Sequence, residues 1–415
     1  MKVALIHDWL TGMRGGEWVL EEIASLFPDA PIHTLVHRRG SVSAAIESHP
    51  IRTSFIQRIP GGTRRYRSLL PLMPLAAESF DLGAFDLIVS SSHCVAKGVR
   101  PPPGAMHISY LHTPMRYIWH LYDDYARGAS LAGRAAMSLA VRPLRRWDVA
   151  SSRRVDAFIA NSETVRRRIR AVYGREAEVI HPPIDTGFFT PGSPGEDGGS
   201  GPHAGGVSQG PDGYYLMVTA LVPYKRVDLA MEAFAGAGRT LTIAGTGPEA
   251  GRLRRRSPAG VNFIGWQPRE TLRELYRGAR ALIFPGLEDF GMAPVECMAA
   301  GTPVIAFGAG GVTESVVGPL VAADGPTGAW IGGPPSRVGP ATGVFFDAQT
   351  PAALRRALRE FETMSFDARV IRARALDFSR ERFRARFIAT IGRLAGVAMG
   401  PGFDPEAACT DTWGS

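Results

Sequence analysis

Two glutamates lie eight positions apart in a short stretch that joins a predicted strand to a predicted helix. An apolar strand ends at Phe284, Pro294 suits the first position of a helix, and Gly301 suits its end. Glu288 then lies in the connecting turn, and Glu296 lies in the first turn of the helix. The free amides at that helix start attract anions, and the two carboxylates can accept hydrogen bonds from sugar or ribose hydroxyls. A solvated loop acid or a partner of the helix dipole would explain each glutamate alone, but neither explains the whole pattern.

Other polar groups also follow predicted strands. Lys225 and Arg226 come after the first strand of the second half, His112 ends an apolar strand, and His7 and Asp8 end the first strand. Ligands of parallel α/β sheets bind at the carboxyl ends of the strands, so these residues are candidates for a site. The alternatives are ordinary surface charges for the lysine and arginine, and a structural role for a lone histidine.

Apolar runs that suit strands alternate with segments of helical periodicity along the chain, which predicts parallel sheets with helices on both faces. The predicted strands are Val3–His7, Ile32–Val36, Leu87–Ser90, His107–Leu111, Ala157–Ala160, Glu178–His181, Tyr215–Thr219, Thr240–Ala244, Asn262–Gly265, Ala281–Phe284 and Pro303–Ala306. The predicted helices include Glu17–Phe27, Ala135–Ala150, Glu163–Tyr173, Arg226–Ala235, Arg269–Gly278 and Pro294–Ala300.

Glycine and proline mark the division of the chain into domains. A Gly/Pro-rich stretch predicts a flexible linker between two α/β domains, and a similar stretch, Gly318–Pro340, predicts a loop inside the second domain. An apolar stripe predicts an amphipathic last helix. The predicted parts are a first domain (1–186), a linker (187–213), a second domain (214–377), the last helix (378–396) and a flexible tail (397–415).

Composition excludes several classes of protein. The chain has 415 residues, 45% of them hydrophobic, a net charge of +8 and three well-separated cysteines. This predicts two or three globular domains in a reducing cytoplasm, with no disulfide framework and no spanning helix. No Gly-x-Gly-x-x-Gly follows the first strand, which argues against a dinucleotide dehydrogenase, and no recognition-helix or aromatic-platform pattern suggests nucleic acid as a partner.

One basic segment is a candidate for membrane contact. Arg58, Arg64, Arg65 and Arg67 lead into the Leu/Met-rich stretch 68–75. Positive charge beside apolar side chains suits the surface of an anionic bilayer. The alternative is a solvated basic loop followed by a core helix.

Several motifs, in order along the chain, resemble those of family 4 retaining glycosyltransferases, which have the two-domain GT-B fold. The pair Glu288 and Glu296, with the residues up to Val304, resembles the nucleotide-sugar signature of that family. The segment 111–117 is similar to bacterial mannosyltransferases of surface-polysaccharide assembly. The other matching stretches are Gly15-Gly16-Glu17, the diphosphate-type segment 221–228, the glycine turn 244–248 and the stretch 263–266. The resemblance implies two Rossmann-like doubly wound domains that face each other across a cleft, with the last helix crossing back to the first domain.

The resemblance also implies roles for individual residues. His112 would lie at the reaction centre, Glu288 would contact the donor sugar, and Glu296 would bind the ribose. Lys225, with Arg226, would neutralise the diphosphate. The remaining donor-binding residues would be Gly15 and Gly16 on the acceptor side of the cleft, Gly245, Ile264 and Gly265, of which the last two would lie near the base, and Phe290, Gly291, Met292 and Ala293, which would offer backbone amides.

Two features set expectations about the diphosphate. Many relatives carry Arg where this chain has Ala220, and we hypothesise that Arg226 replaces that charge from another backbone position. Asp123 and Asp124 are adjacent rather than spaced as in an Asp-x-Asp motif, so we expect neither a metal nor any other cofactor to be required.

The resemblance implies an enzyme that transfers a hexose, first of all mannose from GDP-mannose, to a lipid-linked saccharide during cell-surface polysaccharide synthesis. Its expected partners are the nucleotide-sugar donor, a polyprenyl-diphosphate-linked acceptor and the inner face of an anionic plasma membrane. A UDP-sugar remains an alternative donor. A binding subunit that has lost turnover, or another nucleotide-sugar enzyme such as an epimerase, remains an alternative function.

Overall fold

The computed structural model describes residues 1–120, 122, 131–192, 213–322, 325–331 and 340–394. The strands are β1 Val3–His7, β2 Ile32–Thr34, β3 Ile51–Thr53, β4 Leu87–Ser92, β5 Met106–Leu111, β6 Ala157–Ala160, β7 Ala177–Val179, β8 Tyr214–Val218, β9 Thr240–Ala244, β10 Val261–Gly265, β11 Ala279–Phe284, β12 Val304–Phe307, β13 Gly318–Ala322, β14 Gly325–Ile331 and β15 Gly343–Phe346. The helices are α1 Gly15–Ser25, α2 Ala44–Glu47, α3 Gly62–Arg65, α4 Met73–Glu78, α5 Leu131–Ser152, α6 Glu163–Tyr173, α7 Val227–Phe234, α8 Ala250–Arg255, α9 Arg269–Gly278, α10 Met292–Ala299, α11 Val312–Ser315, α12 Pro351–Thr363, α13 Ala368–Ala375 and α14 Arg380–Leu394.

Internal contacts divide the chain into two compact units. Unit 1 holds Met1–Pro183 together with the chain from Arg380 onward, and unit 2 holds Ile184–Ser379. The predicted linker 187–213 and tail 397–415 lie largely or wholly outside the described residues. Among the described residues, no helix is both long and apolar enough to cross a membrane.

Unit 1 is built on a parallel sheet of seven strands. Its strand order is β3-β2-β1-β4-β5-β6-β7. The central strands β1, β4 and β5 are buried almost throughout because helices cover both faces of such a sheet. Successive connections run one way from β1 to β3 and the other way from β4 to β7. The sheet therefore has a switch point between β1 and β4, where an open α/β sheet forms a crevice at the carboxyl ends of its strands.

The helix α14 packs on unit 1, although it follows unit 2 in the sequence. Phe383, Phe387 and Ile391 are buried in one core with the apolar side chains of α1. Arg380 and Arg384 both pair with the carboxylate of Glu22 on α1, at 3.0 and 2.6 Å. An apolar stripe and a buried ion-pair network thus hold this helix on unit 1, as the resemblance implies.

Unit 2 repeats the doubly wound plan with eight strands. The order is β10-β9-β8-β11-β12-β15-β13-β14, and the switch point lies between β8 and β11. The pairs from β10 to β13 are parallel, and β13 pairs with β14 in the antiparallel sense. The prediction of two parallel α/β domains is confirmed.

The prediction of a loop over Gly318–Pro340 is wrong for its first part, which forms the strands β13 and β14. Gly318 begins β13 and Gly343 begins the neighbouring strand β15, and both glycines permit close strand packing. A Cβ on Gly318 would lie 1.9 Å from the carbonyl oxygen of Gly343, and a Cβ on Gly343 would lie 2.1 Å from that of Val304. Glycine is therefore required between these strands, and its presence does not indicate a loop. Residues 323–324 and 332–339 lie outside the described part.

The prediction that Pro294 begins a helix is also wrong. Helix α10 begins at Met292, and Gly291 precedes it with a φ of 92°. Proline is tolerated throughout the first turn because the amides there have no intrahelical acceptor. Glu296 consequently lies in the second turn of α10 rather than in the first. Gly301 follows the helix with a φ of 87°, as a terminating glycine should.

Candidate functional site

Three histidines meet at the switch point of unit 1. His7 ends β1, His93 follows β4 and His112 follows β5. The ring of His93 lies 5.9 Å from that of His7 and 6.2 Å from that of His112, between centroids. The hydroxyl of Ser91 lies between the other two rings, 3.2 Å from His7 Nδ1 and 2.9 Å from His112 Nε2.

These imidazoles are held in the neutral form. Burial lowers the pKa of His7 to about 4 and that of His93 to about 3, and it lowers the pKa of His112 well below its ordinary value. The guanidinium of Arg116 lowers the pKa of His93 and His112 further, because a second positive charge nearby is unfavourable. At neutral pH the cluster therefore offers uncharged donors and acceptors.

Asp8 fixes the turn that carries His93. Its buried carboxylate accepts four backbone hydrogen bonds of 2.6–3.0 Å, from the amides of residues 93 to 96, and contacts His93 Nδ1 at 3.2 Å. A carboxylate with this many amide partners can remain in a buried position. His7, Asp8 and His112, which the sequence placed at the carboxyl ends of strands, thus lie close together. Asp8 has a structural role there, because it holds the turn that carries His93.

The glycine-rich start of α1 lies against the same cluster. A Cβ on Gly16 would lie 3.5 Å from Cε1 of His7 and 3.6 Å from Nε2 of His112. Gly15 is exposed, and Glu17 is buried, with its carboxylate 3.0 Å from the amide of Arg14. Burial raises the pKa of Glu17 to about 7. Gly15, Gly16 and His112 are therefore neighbours in unit 1.

Lys225 and Glu288 are partners in unit 2. Lys225 ends a short 3-10 turn after β8, Glu288 follows β11, and their side chains form an ion pair with little exposure. The two strands flank the switch point, which explains why residues 63 positions apart meet there. The structure thus brings together a cation and an acid that the sequence placed at one site.

Arg226 adopts a backbone conformation that is unfavourable for its type. Its φ is 53° and its ψ is 42°, in the left-handed region, which costs a non-glycine residue about 1 kcal/mol. Among the described residues it is the single non-glycine with positive φ. Its side chain lies 3.4 Å from Asp228, and both groups are substantially exposed. This contact neither supports nor opposes the hypothesis that Arg226 replaces the charge absent at Ala220.

The start of α10 is shaped by glycines. A Cβ on Gly291 would lie 2.9 Å from the ring of Phe284, and one on Gly311 would lie 2.2 Å from the carbonyl oxygen of Asp289. Phe290 is buried in the core of unit 2, whereas Met292 and Ala293 are half-buried. The side chain of Phe290 is therefore used for packing in the core of unit 2.

Glu296 is held by two residues of α9. The hydroxyl of Tyr276 donates to its carboxylate at 3.0 Å. Burial raises the pKa of Glu296, whereas the Tyr276 hydrogen bond and the charge of Arg269 lower it. Arg269 itself pairs with Asp185 at 2.7 Å. Sequence reasoning missed Tyr276, and its position on a strongly amphipathic helix beside α10 is the signal that could have indicated it.

The remaining predicted donor residues lie at the carboxyl ends of β9 and β10. Gly245 and Gly265 are neighbours in the sheet, since the amide of Gly245 donates a hydrogen bond to the carbonyl of Gly265 at 2.7 Å. A Cβ on Gly245 would lie 1.8 Å from the carbonyl oxygen of Thr219. Ile264 is half-buried, and Trp266 beside it is 71% exposed. Among the described residues, no group of three or more His, Cys, Asp or Glu side chains could hold a metal ion.

Sequence reasoning also missed Ser91 and His93. Ser91 lies 84 positions from His7 and 21 from His112, so nothing in the local sequence joins them. The signal available was the run of three serines at the end of an apolar strand, next to the strand that carries His7.

Both halves of the chain match glycosyltransferase families. Residues 13–188 match the family described as Glycosyltransferase Family 4, and residues 204–376 match the family described as Glycosyl transferases group 1. These domains support a transferase enzyme. A D-inositol 3-phosphate glycosyltransferase of Mycolicibacterium smegmatis is 28% identical over 260 residues, which cover 58% of this chain and 57% of that protein. The chain thus spans about half the length of the curated relatives that it matches.

Solved structures agree on the fold. HepE of Anabaena, in complex with UDP, has a TM-score of 0.62 at 16% identity and is covered completely by 95% of this chain. Sucrose-phosphate synthase of Thermosynechococcus elongatus has a TM-score of 0.66 at 16% identity, with the same coverage. The prediction of the GT-B fold is confirmed.

Proposed function

We propose that this chain is a retaining glycosyltransferase that takes a hexose from a nucleotide-sugar donor bound in unit 2. The observation that carries the proposal is the Lys225–Glu288 ion pair at the switch point, beside the glycine-shaped start of α10. An ammonium group and the amides of a helix start suit a diphosphate, and a neighbouring carboxylate suits sugar hydroxyls. The glycosyltransferase families matched by both halves support the same reading.

In this proposal the chain stabilises the charge that develops on the leaving diphosphate. Lys225 neutralises it, Arg226 adds a second positive charge, and the amides of residues 290–293 point toward it. Groups that are already in place stabilise a transition state at little cost in reorganisation. Glu288 then accepts hydrogen bonds from the donor sugar. We propose that the reaction needs no metal or other cofactor, and that full activity in the presence of a chelator would support this.

The other predicted residues complete the donor site and the reaction centre. Glu296, oriented by Tyr276, accepts hydrogen bonds from the ribose hydroxyls. The backbone around Ile264 and Gly265 lies near the base. The neutral imidazole of His112 meets the sugar at the reaction centre, next to Gly15 and Gly16. Retention of the anomeric configuration is proposed from the resemblance alone.

Mannose from GDP-mannose is the first donor to test. The stretch from Leu111 to Tyr117, which resembles bacterial mannosyltransferases, supports this choice. The alternative is a UDP-sugar, because HepE, with the same fold, is described in complex with UDP and with UDP-glucose. The base of the nucleotide and the sugar can be separated experimentally, since GDP and UDP can be tested without a sugar.

For the acceptor we propose a lipid-linked saccharide at an anionic membrane surface, with the enzyme bound peripherally on the cytoplasmic face. In unit 1 the segment 55–75 exposes Arg58, Arg64, Arg65 and Arg67, together with Leu72 and Leu75. Met73 is buried, so the exposed apolar side chains of the Leu/Met-rich stretch 68–75 are Leu72 and Leu75. The alternative acceptor is a phosphorylated polyol, which the name of the D-inositol 3-phosphate glycosyltransferases favours.

A donor screen tests the proposed function. The purified chain is heated with GDP, UDP and their common hexose conjugates, and slow hydrolysis of each donor is followed by release of the nucleotide. We expect one nucleotide series to raise the melting temperature, and Glu288→Gln with Glu296→Gln to abolish the rise. Binding without hydrolysis or transfer would favour a silent binding subunit. No binding of any nucleotide sugar would refute the proposal.

Flotation with liposomes that contain anionic lipid tests the membrane contact. We expect the triple variant Arg64→Ser, Arg65→Ser and Arg67→Ser to bind less. The matched control replaces Arg166, Arg167 and Arg170 of α6 by serine, which removes the same charge from another exposed helix of unit 1. Equal binding by both triple variants would show that the segment 55–75 is not the contact.

A further inference from the structure

Two adjacent serines at the end of β4 contact histidines on opposite faces of the sheet. Ser90 Oγ lies 2.9 Å from Nε2 of His107, and Ser91 Oγ lies 2.9 Å from Nε2 of His112. Neighbouring side chains of a strand point to opposite sides, so the two pairs do not share an environment. Ser91 differs from Ser90 because its hydroxyl also reaches a second imidazole, that of His7, at 3.2 Å.

A serine hydroxyl carries one proton, which limits what Ser91 can do between two neutral rings. If it donates to His112 Nε2, it can only accept a hydrogen bond from a protonated His7 Nδ1. If it donates to His7 Nδ1, it can only accept a hydrogen bond from a protonated His112 Nε2. An unprotonated facing nitrogen on one histidine therefore requires a protonated facing nitrogen on the other. Burial keeps both rings uncharged at neutral pH, so this restriction applies where the enzyme works.

We propose that Ser91, together with His7, is a positioning device that sets the orientation and the tautomer of His112. With Nε2 directed at Ser91, Nδ1 is the nitrogen that remains for a substrate. The hydrogen-bonded chain His7–Ser91–His112, called the relay below, decides whether that nitrogen donates or accepts a hydrogen bond. The inference rests on the proposed function only in placing His112 at the reaction centre. The hydrogen-bond relay itself is independent of any substrate.

The surroundings leave the ring of His112 little freedom. It is 8% exposed, its ring lies 5.2 Å from that of Tyr110, and the start of α1 at Gly16 lies against its Nε2 edge. The relay continues as far as His7, whose Nε2 is buried with no hydrogen-bond partner among the described residues. Ser91 is therefore the hydrogen-bonding group through which His7 can influence His112.

Nitrogen NMR of the full-length chain tests the relay without turnover. Long-range proton–nitrogen spectra of the histidine-labelled protein report which ring nitrogen is protonated. We expect matched tautomers for His7 and His112, and a change in the nitrogen shifts of His112 in both Ser91→Ala and His7→Phe. The control Ser90→Ala should move the signals of His107 and leave those of His112 in place. Unchanged His112 signals in both test variants would overturn the proposal.

Kinetics with the donor found in the screen test the consequence. We expect Ser91→Ala to lower kcat about tenfold, as the loss of one orienting hydrogen bond would, with KM for the donor within about twofold. Ser90→Ala removes an equivalent buried bond, so it should cost similar stability and leave kcat unchanged. Equal kcat values for the two variants would overturn the positioning role. An inactive wild-type chain with an intact NMR relay would refute the proposed function alone.

Discussion

The hydrogen bond between Tyr276 and Glu296 provides a sharp test of the donor site. We predict that Tyr276→Phe weakens donor binding about tenfold. Without the Tyr276 hydroxyl the Glu296 carboxylate can turn away from the ribose. Loss of one ribose hydrogen bond to a charged group costs about 1.5–3 kcal/mol, and about 1.4 kcal/mol corresponds to a factor of ten. We expect the lower end of that range, because Glu296 is half-buried and water can replace part of the lost bond.

The same variant should change the pH dependence of binding. Burial raises the pKa of Glu296, and the Tyr276 hydroxyl opposes that rise by stabilising the carboxylate. Its removal raises the pKa further, so the carboxylate is lost at a higher pH as the solution becomes more acidic. The ratio of donor KM between variant and wild type should therefore be larger at pH 6 than at pH 8.

The control is Tyr214→Phe in the same unit. The hydroxyl of Tyr214 is also buried, and it donates at 2.8 Å to the carbonyl of Leu275, away from Glu296. Tyr214→Phe should lose about 1 kcal/mol of unfolding free energy in urea and Tyr276→Phe about 1.5 kcal/mol, whereas donor KM should change in Tyr276→Phe alone. Equal donor KM values for the two variants at both pH values would refute the assignment of Glu296 to the ribose.

Three further predictions concern backbone and packing. Gly291→Ala should destabilise unit 2 by at least about 1 kcal/mol and weaken donor binding, since its φ is 92° and a Cβ would meet Phe284; wild-type urea melting would contradict this. Arg226→Gly should raise the unfolding free energy by up to about 1 kcal/mol, because glycine adopts the left-handed backbone without strain and the lost pair of Arg226 with Asp228 is exposed and contributes little; an increase in donor KM would show that the charge of Arg226 is needed. Ending the chain at Ser379 should expose the apolar face of unit 1 that α14 covers and lower its melting temperature; unchanged melting would contradict that packing.

The sequence predicted the fold well where one signal dominates. The strands Val3–His7, Ala157–Ala160 and Thr240–Ala244 and the helices Glu163–Tyr173 and Arg269–Gly278 have the predicted bounds. In each, the predicted bounds follow from an apolar run or a helical stripe. Such local signals are sufficient because burial in a doubly wound sheet leaves few alternatives.

Prediction failed where glycine and proline serve packing instead of turns. Gly318 and Gly343 allow strands to approach closely, and Pro294 lies inside the first turn of a helix. Local sequence gives the same signal for these uses as for a loop or a helix start. The site was predicted one residue at a time, but contacts such as Ser91 with His7 depend on strand pairing across 84 positions.

The side chains at the two switch points differ in charge: the histidines in unit 1 are neutral, and the side chains in unit 2 form an ion pair. In unit 1, burial and the charge of Arg116 keep His93 and His112 neutral. In unit 2, Lys225 and Glu288 remain together as an ion pair with little exposure. A neutral cluster can exchange hydrogen bonds with hydroxyls but does little to stabilise a diphosphate, whereas an ammonium group stabilises it directly. The proposed reaction therefore needs unit 2 for the anionic part of the donor and leaves unit 1 to orient uncharged hydroxyls. Substitutions at Lys225 should lower both diphosphate binding and kcat, whereas substitutions at Ser91 should lower kcat with little change in donor binding.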